Sequence, residues 1–271
     1  MQLPAVFTAF AMLLADPLGA RELHVFDNGL RDVTELEDKA ALLARLGYAG
    51  IGWRPGQTAE MLAALERHGL KMASSYVTLH ADMDSCPVPP DVVAEIDALK
   101  GRGTIVWLAV NGKSNDAVVV PAVREISEVA MRNGLKVAIY PHVGFYTDTM
   151  DSALRIMRKA QRPNIGISFN LCHFLKQNDE ARLEAKLREA APHLMLVSVN
   201  GADSGDTRAM GWDKLIRPLG EGAFDNSKLL RLLDGVGFKG PVVLQCYNIK
   251  QPAAAHLAKS MAGWRRIAGG D

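Results

Sequence analysis

Four times along this chain an amphipathic stretch runs into glycine, then an apolar residue, then a strand-like run. The copies are Leu46-Gly47-Tyr48, His68-Gly69-Leu70-Lys71, Asn133-Gly134-Leu135-Lys136 and Val236-Gly237-Phe238-Lys239. Glycine supplies the left-handed residue that ends a helix, and the apolar residue after it packs back onto that helix. Repetition of one helix-to-strand turn predicts an architecture of strand–helix units. Apolar runs after residue 20 place strands at Leu23–Asp27, Gly50–Arg54, Lys71–Leu79, Thr104–Val110, Lys136–Tyr140, Ile165–Asn170, Leu194–Asn200 and Pro241–Tyr247. Several are continuously hydrophobic, as strands covered on both faces should be.

The intervening stretches carry apolar residues on a helical period. Leu36, Ala40, Leu43 and Gly47 share a face, as do Val119, Val123, Ile126 and Ala130, and later Leu257, Met261 and Trp264. Start signals agree: Thr34 with Glu37 reads as a capping box, Asp225 and Asn178 stand where caps are wanted, and Pro252 fits a first helical position. Eight such units predict one closed (β/α)8 TIM barrel spanning residues 21–271 of the 271-residue chain, close to the usual size of that fold. An open doubly wound sheet would want a glycine-rich turn after its first strand. Asp27-Asn28-Gly29-Leu30 is not one.

Charge excludes one class of partner. A net charge of +1 leaves no basic face for nucleic acid. The three cysteines, Cys86, Cys172 and Cys246, have neither disulfide-framework nor zinc-site spacing, and Cys172 and Cys246, near strand ends, read as buried thiols. Residues 5–15 form an uncharged apolar run, too short to span a bilayer and of signal-peptide length. We therefore expect residues 1–20 to be an export leader, with a periplasmic or secreted mature protein; the alternatives are a helix closing the barrel bottom and a cytoplasmic protein.

Active sites of this fold are built at the C-terminal ends of the strands. Those ends read Asp27-Asn28, Trp53-Arg54, His80, Asn111 to Lys113, Tyr140-Pro141-His142, Asn170 to His173, Asn200 to Asp203 and Gln245 to Asn248. They are far more polar and aromatic than the opposite ends, which predicts a pocket for a polyhydroxylated ligand. Trp53, Tyr140 and Tyr247 are candidates to stack on sugar faces. The loop from Asp203 to Gly222 is the longest after any strand and reads as a lid, hinged at Asn200 and Asp203.

Four motifs in order resemble the xylose-isomerase-like barrels, a superfamily of sugar isomerases and epimerases. Val137-Ala138-Ile139-Tyr140-Pro141-His142 is similar to the family's fifth-strand Glu-Pro-His, and Asn170-Leu171-Cys172-His173 to its sixth-strand Asp-x-x-His. Asn200-Gly201-Ala202-Asp203 resembles a seventh-strand His-x-x-Asp, and Gln245 stands where the eighth strand carries Glu. The resemblance implies a divalent cation held by carboxylates and histidine, yet those positions here are Tyr140, Asn170, Asn200 and Gln245. Hard cations need anionic oxygen ligands, so no cofactor and no tightly bound metal are expected, with room for a weakly held ion.

His142 and His173 are retained in register. The resemblance implies acid/base roles for this pair, with Asn170, Asn200, Gln245 and Asp203 orienting substrate hydroxyls. Arg208, Lys176 and Lys113 are candidates to stabilise negative charge. The leading expectation is a sugar isomerase or epimerase acting by proton transfer on a carbohydrate or keto-sugar. The alternative is a non-catalytic carbohydrate-binding barrel. A DNA-repair endonuclease of this architecture is a distant third.

Overall fold

Eight parallel strands close on themselves in chain order, with β8 pairing back onto β1. They are β1 (Leu23–Phe26), β2 (Gly50–Trp53), β3 (Lys71–Ala81), β4 (Ile105–Gly112), β5 (Lys136–Ile139), β6 (Ile165–Asn170), β7 (Leu194–Val199) and β8 (Val242–Leu244). This is the (β/α)8 barrel expected from the sequence. The computed structural model describes residues 21–177 and 180–269; the apolar run at 5–15 and Asn178 lie outside them. The helices are α1 (Leu36–Leu46), α2 (Thr58–Arg67), α3 (Pro90–Ala98), α4 (Asp116–Arg132), α5 (Met150–Ala160), α6 (Leu171–Lys176), α7 (Leu183–Ala190), α8 (Trp212–Leu215), α9 (Asn226–Gly235) and α10 (Ala253–Gly269). No helix among the described residues is long and apolar enough to cross a membrane.

All four repeated turns form as the physics of glycine demands. Gly47, Gly69, Gly134 and Gly237 take φ of 84°, 66°, 72° and 73°. In each turn the next N–H reaches back five residues: Tyr48 to Leu43, Leu70 to Leu65, Leu135 to Ala130 and Phe238 to Leu233, at 2.8 to 3.0 Å. These bonds satisfy carbonyls that the helix ends would otherwise orphan.

Helix starts depart from expectation at two places. Glu35 precedes α1 without a side-chain cap, and the Thr34 hydroxyl meets Glu35 at 3.4 Å, so the Thr34–Glu37 box does not form. The reciprocal box sits instead at α5, where Thr149 and Ser152 cap one another. The last helix begins at Ala253, one residue after Pro252; the Asp32 carboxylate accepts the Ala253 N–H at 3.1 Å. Asp225 caps α9 as expected, accepting from Lys228 N at 2.9 Å.

The core has two parts. Outward-facing strand residues and the helices form one large apolar layer, which includes Ile51, Val77, Leu79, Val123, Ile126, Leu257 and Trp264. Inside the barrel Phe26, Ile105, Trp107, Ala109, Ala138, Tyr140, Leu196 and Val243 form a second cluster. Its upper members are aromatic, and they make the floor of the site.

Candidate functional site

A cavity of about 380 Å³ opens at the C-terminal end of the barrel. Its floor is an aromatic layer. Trp107 packs against Phe26 and Tyr140 at centroid distances of 5.2 and 4.6 Å, and Tyr76 against Tyr140 at 5.4 Å. The Trp107 indole N–H is satisfied by Ser168 Oγ at 2.8 Å. His142, His173, Trp212 and Ile216 form one wall; Asn28, Gln245 and Tyr247 form another; Arg31 and Arg54 stand at the rim. A depression of about 470 Å³ at the opposite end is lined by Arg21, Lys71 and Arg102 among others. It lacks any such convergence of aromatic and imidazole groups, so the mouth cavity is the candidate site.

The two histidines meet because of how their strands end. After Ile139 the chain leaves the ladder through Tyr140-Pro141, which brings His142 over the barrel mouth. After Asn170 the chain turns directly into α6, so His173 falls on the first turn of that helix and lines the cavity. Their ring centroids lie 4.0 Å apart. His142 is half-buried and stacks on Phe145 at 3.9 Å; His173 is buried and meets Trp212 edge-on at 5.4 Å.

Hydrogen bonds assign the tautomers. His142 Nδ1 lies 3.0 Å from the carbonyl oxygen of Val143. A carbonyl can only accept, so Nδ1 carries the proton and Nε2 has a lone pair. The Val143 N–H points to His173 Nδ1 at 3.4 Å. The proton of His173 therefore sits on Nε2, which donates to Tyr140 Oη at 3.0 Å. Burial holds both imidazoles below their ordinary pKa, and for His173 the neighbouring His142 adds to the effect.

Tyr140 is the centre of a polar chain. Burial pushes its phenol well above the ordinary range, with Cys172 and Tyr76 adding and a bond to Gln245 opposing. Gln245 Oε1 accepts from Asn28 Nδ2 and, at 3.0 Å, from Tyr247 N. That leaves the Gln245 amide nitrogen to donate toward Tyr140. Asn28 Oδ1 in turn accepts Cys246 N at 3.2 Å. These bonds draw the Cys246 and Tyr247 amides out of the sheet, which is why β8 stops at Leu244. With His173 and Gln245 both donating to Oη, the phenolic proton is free to donate to a ligand.

Not every residue singled out in the sequence reaches the cavity. Trp53 points the other way: its indole N–H donates to Gly56 O at 3.1 Å and its ring packs under Lys39. Asn170 donates to Pro141 O at 3.1 Å and is buried behind the wall. Asn200 donates to Leu215 O at 2.6 Å and Gly201 O at 2.9 Å, and its own carbonyl accepts from Asn226. Asp203 pairs with Arg217 at 2.8 Å, and Arg208 donates to Gln177 O at 3.0 Å. None of these five lines the mouth cavity. Lys176 Nζ is held by the carbonyls of Arg208 and Met210, and Lys113 is exposed outside the lining.

The long 203–222 loop is folded back on itself. Gly201 and Arg217 bridge in an antiparallel pair, and Asp203 N bonds Lys214 O at 2.8 Å. Asn200 and Asp203 thereby hold Trp212 and Ile216 in the cavity wall. Phe26, Arg31, Tyr76 and Trp212 were given no ligand role from sequence, and Asn28 and Arg54 stood only among the polar strand ends, without a role of their own. For Arg54 the missing signal was strand parity: neighbours on a strand face opposite sides, so Trp53 facing the helices leaves Arg54 facing the mouth. The same parity, Ser74, Tyr76, Thr78, marks Tyr76 as inward. All three cysteines are free, with Cys172 and Cys246 buried.

The sequence profile of the xylose isomerase-like TIM barrel family matches residues 40–267. The chain belongs to this family. Among individual proteins, a 3-dehydroshikimate dehydratase from Pseudomonas aeruginosa is 24% identical over 180 residues, covering 64% of this chain and 28% of that enzyme. The chain thus spans well under a third of that relative's length. Among solved structures, the IolI protein with a bound zinc atom superposes with a TM-score of 0.73 at 16% identity, covering 92% of this chain and 98% of that one. The 3-keto-D-glucoside 4-epimerase YcjR from E. coli gives 0.69 at 18% identity, covering 90% and 99%. The probable 3-DHS dehydratase AsbF from Bacillus anthracis gives 0.72 at 15%, covering 91% and 99%. At such identities the superpositions establish the fold.

Proposed function

We propose that this family member catalyses proton transfer on a carbonyl-bearing sugar, using its own side chains where relatives use a metal. The observation that carries the reading is the pairing of a neutral imidazole with a free nitrogen, His142 Nε2, and a phenol whose oxygen is already supplied with donors. His142 Nε2 takes a proton from the carbon beside the carbonyl. The Tyr140 O–H donates to the carbonyl oxygen as negative charge gathers there, the role of an oxyanion donor. Tyr140 gives its proton to that oxygen and recovers one from the neighbouring hydroxyl as the new carbonyl forms, and His142 returns its proton to the former carbonyl carbon, which completes an isomerisation. Protons and electrons balance without an outside reagent.

The donor set does not suit a hard divalent cation, and no step is routed through one. Of the four positions where the resemblance places ligands, none is a carboxylate. The Gln245 oxygen is committed to Asn28 and Tyr247, while Asn170 and Asn200 lie behind the wall, outside the cavity lining, their amide nitrogens anchored to backbone carbonyls and the Asn200 oxygen buried without a partner among the described residues. Relatives described as epimerases and dehydratases support a sugar-modifying role. The same missing carboxylates favour a second reading, a binding barrel without turnover.

Solvent-exchange NMR separates the two. A panel of aldoses, ketoses and keto-sugars is incubated with the protein in deuterium oxide. The proton-transfer reading expects enzyme-dependent deuterium at a carbon beside a carbonyl for at least one compound, lost in His142→Asn. Binding without exchange anywhere in the panel would establish the binding-only barrel instead.

A further inference from the structure

We infer that the mouth cavity takes an acidic sugar or keto acid, whose carboxylate meets Arg31. This rests on the proposal that the mouth cavity is the substrate site, and adds the class of substrate. The argument is a charge inventory. The cavity lining contains two guanidiniums, Arg31 and Arg54, and no aspartate or glutamate. Its two histidines are neutral, because burial holds both below their ordinary pKa.

The carboxylate bonded to Arg54 is already shared. Asp27 accepts from Arg54 at 2.8 and 3.0 Å and from Lys39 at 2.7 Å. One negative charge thus serves two positive ones, and the cluster keeps a net positive charge. Arg31 has no carboxylate partner among the described residues. Its guanidinium carbon lies 5.1 Å from the centroid of the Tyr247 ring. Stacking on an aromatic face orients a guanidinium while leaving its N–H edge open for bidentate recognition.

An unpaired arginine on a convex surface would carry no such meaning. Here it faces a concave space walled by Tyr76, Trp212 and Tyr247, where low-dielectric walls focus the field. A neutral sugar would leave that field unanswered. A single open guanidinium fits a monoanionic carboxylate, with the Asp27-bound Arg54 lending further positive potential.

The experiment reads binding by calorimetry at low and high salt. Its probes are glucuronate, galacturonate, gluconate and 2-ketogluconate, each with its neutral amide, together with glucose, fructose and glucose 6-phosphate. At least one acid is expected to bind about tenfold to a hundredfold more tightly than its amide, as for a charge-assisted pair. That preference should shrink with salt and vanish in Arg31→Gln, while Lys100→Gln, an exposed change outside the cavity, leaves it intact. Acid and amide binding alike would overturn the inference. So would a preference surviving Arg31→Gln, tighter binding of the sugar phosphate, or no acid binding at about 1 mM. An Arg31-dependent preference without deuterium exchange would retire proton transfer alone. Exchange on neutral sugars with no acid preference would retire this inference alone.

Discussion

His142 and His173 face each other with ring centroids 4.0 Å apart, and the backbone of Val143 ties them into opposite tautomers. Its carbonyl takes the Nδ1 proton of His142, and its N–H occupies Nδ1 of His173. One imidazole is left with an open basic nitrogen at the cavity; the other has both nitrogens engaged. Two residues of the same type thereby receive different work.

Substitution should expose that difference. His142→Asn is expected to lower turnover by roughly 10²–10⁴-fold, the range for a positioned acid/base group, and to abolish the acid limb of the pH profile. His173→Asn acts through Tyr140 as a positioning change. It should lower turnover less and keep the acid limb. Equal losses and equal profiles in both variants would show that the tautomer assignment does not govern the chemistry.

Tyr140→Phe tests the phenol. The ring and its contacts with Trp107 and Tyr76 survive, so the floor should keep its shape. Turnover is expected to fall about 10²–10³-fold with little change in ligand affinity, the signature of a lost oxyanion donor. His173 and Gln245 would each lose an acceptor, and a buried unsatisfied donor costs about 1–3 kcal/mol. A modest drop in melting temperature should therefore accompany the loss. Unchanged kcat would remove Tyr140 from the mechanism.

Metal dependence offers a separate check. Dialysis against a strong chelator should leave turnover and melting temperature unchanged, because the amide oxygens offered at the ligand positions are neutral, and Asn170 and Asn200 stand outside the cavity lining. Elemental analysis that recovers stoichiometric zinc or manganese, with activity lost on chelation and regained on addition, would overturn a metal-free reaction. His142 would be the first ligand to look for, since imidazole binds such ions readily.

The barrel was legible because its signals are local. A glycine at the helix end and five residues of chain are enough to write the turn at Gly134, and a short apolar run is enough to write β6. The site was less legible because it depends on parity and on commitments made far along the chain. Trp53 and Arg54 are equally plausible at the end of β2; the packing of Lys39 over Trp53 decides which one faces the mouth. Asn200 looks like a ligand-binding amide until α8, twelve residues later, folds back and takes one of its protons at Leu215 O, the other going to Gly201 O. Nothing near Gln245 in sequence announces that Asn28 will occupy its oxygen.

The last prediction concerns acid. His24 lies buried near the bottom of the barrel with Nδ1 unpartnered among the described residues. Burial lowers its pKa from 6.5 to about 4, with Glu22 opposing and Lys71 adding. Between those two values the unfolded chain binds a proton that the folded chain does not, so stability rises with pH across the window. The contribution is neutral above pH 6.5, is lost progressively as pH falls, and levels off near pH 4. From His24 alone the loss approaches about 3 kcal/mol. His142, His173 and His256 are shifted in the same direction and add to it. Urea unfolding between pH 7 and 4 should show midpoints falling steadily below pH 6.5. In His24→Leu, which removes the titrating ring and keeps an apolar side chain, the decline should be visibly shallower. A decline of equal slope in the variant would show that His24 does not stay neutral in the folded barrel, and that the acid sensitivity arises at the mouth instead.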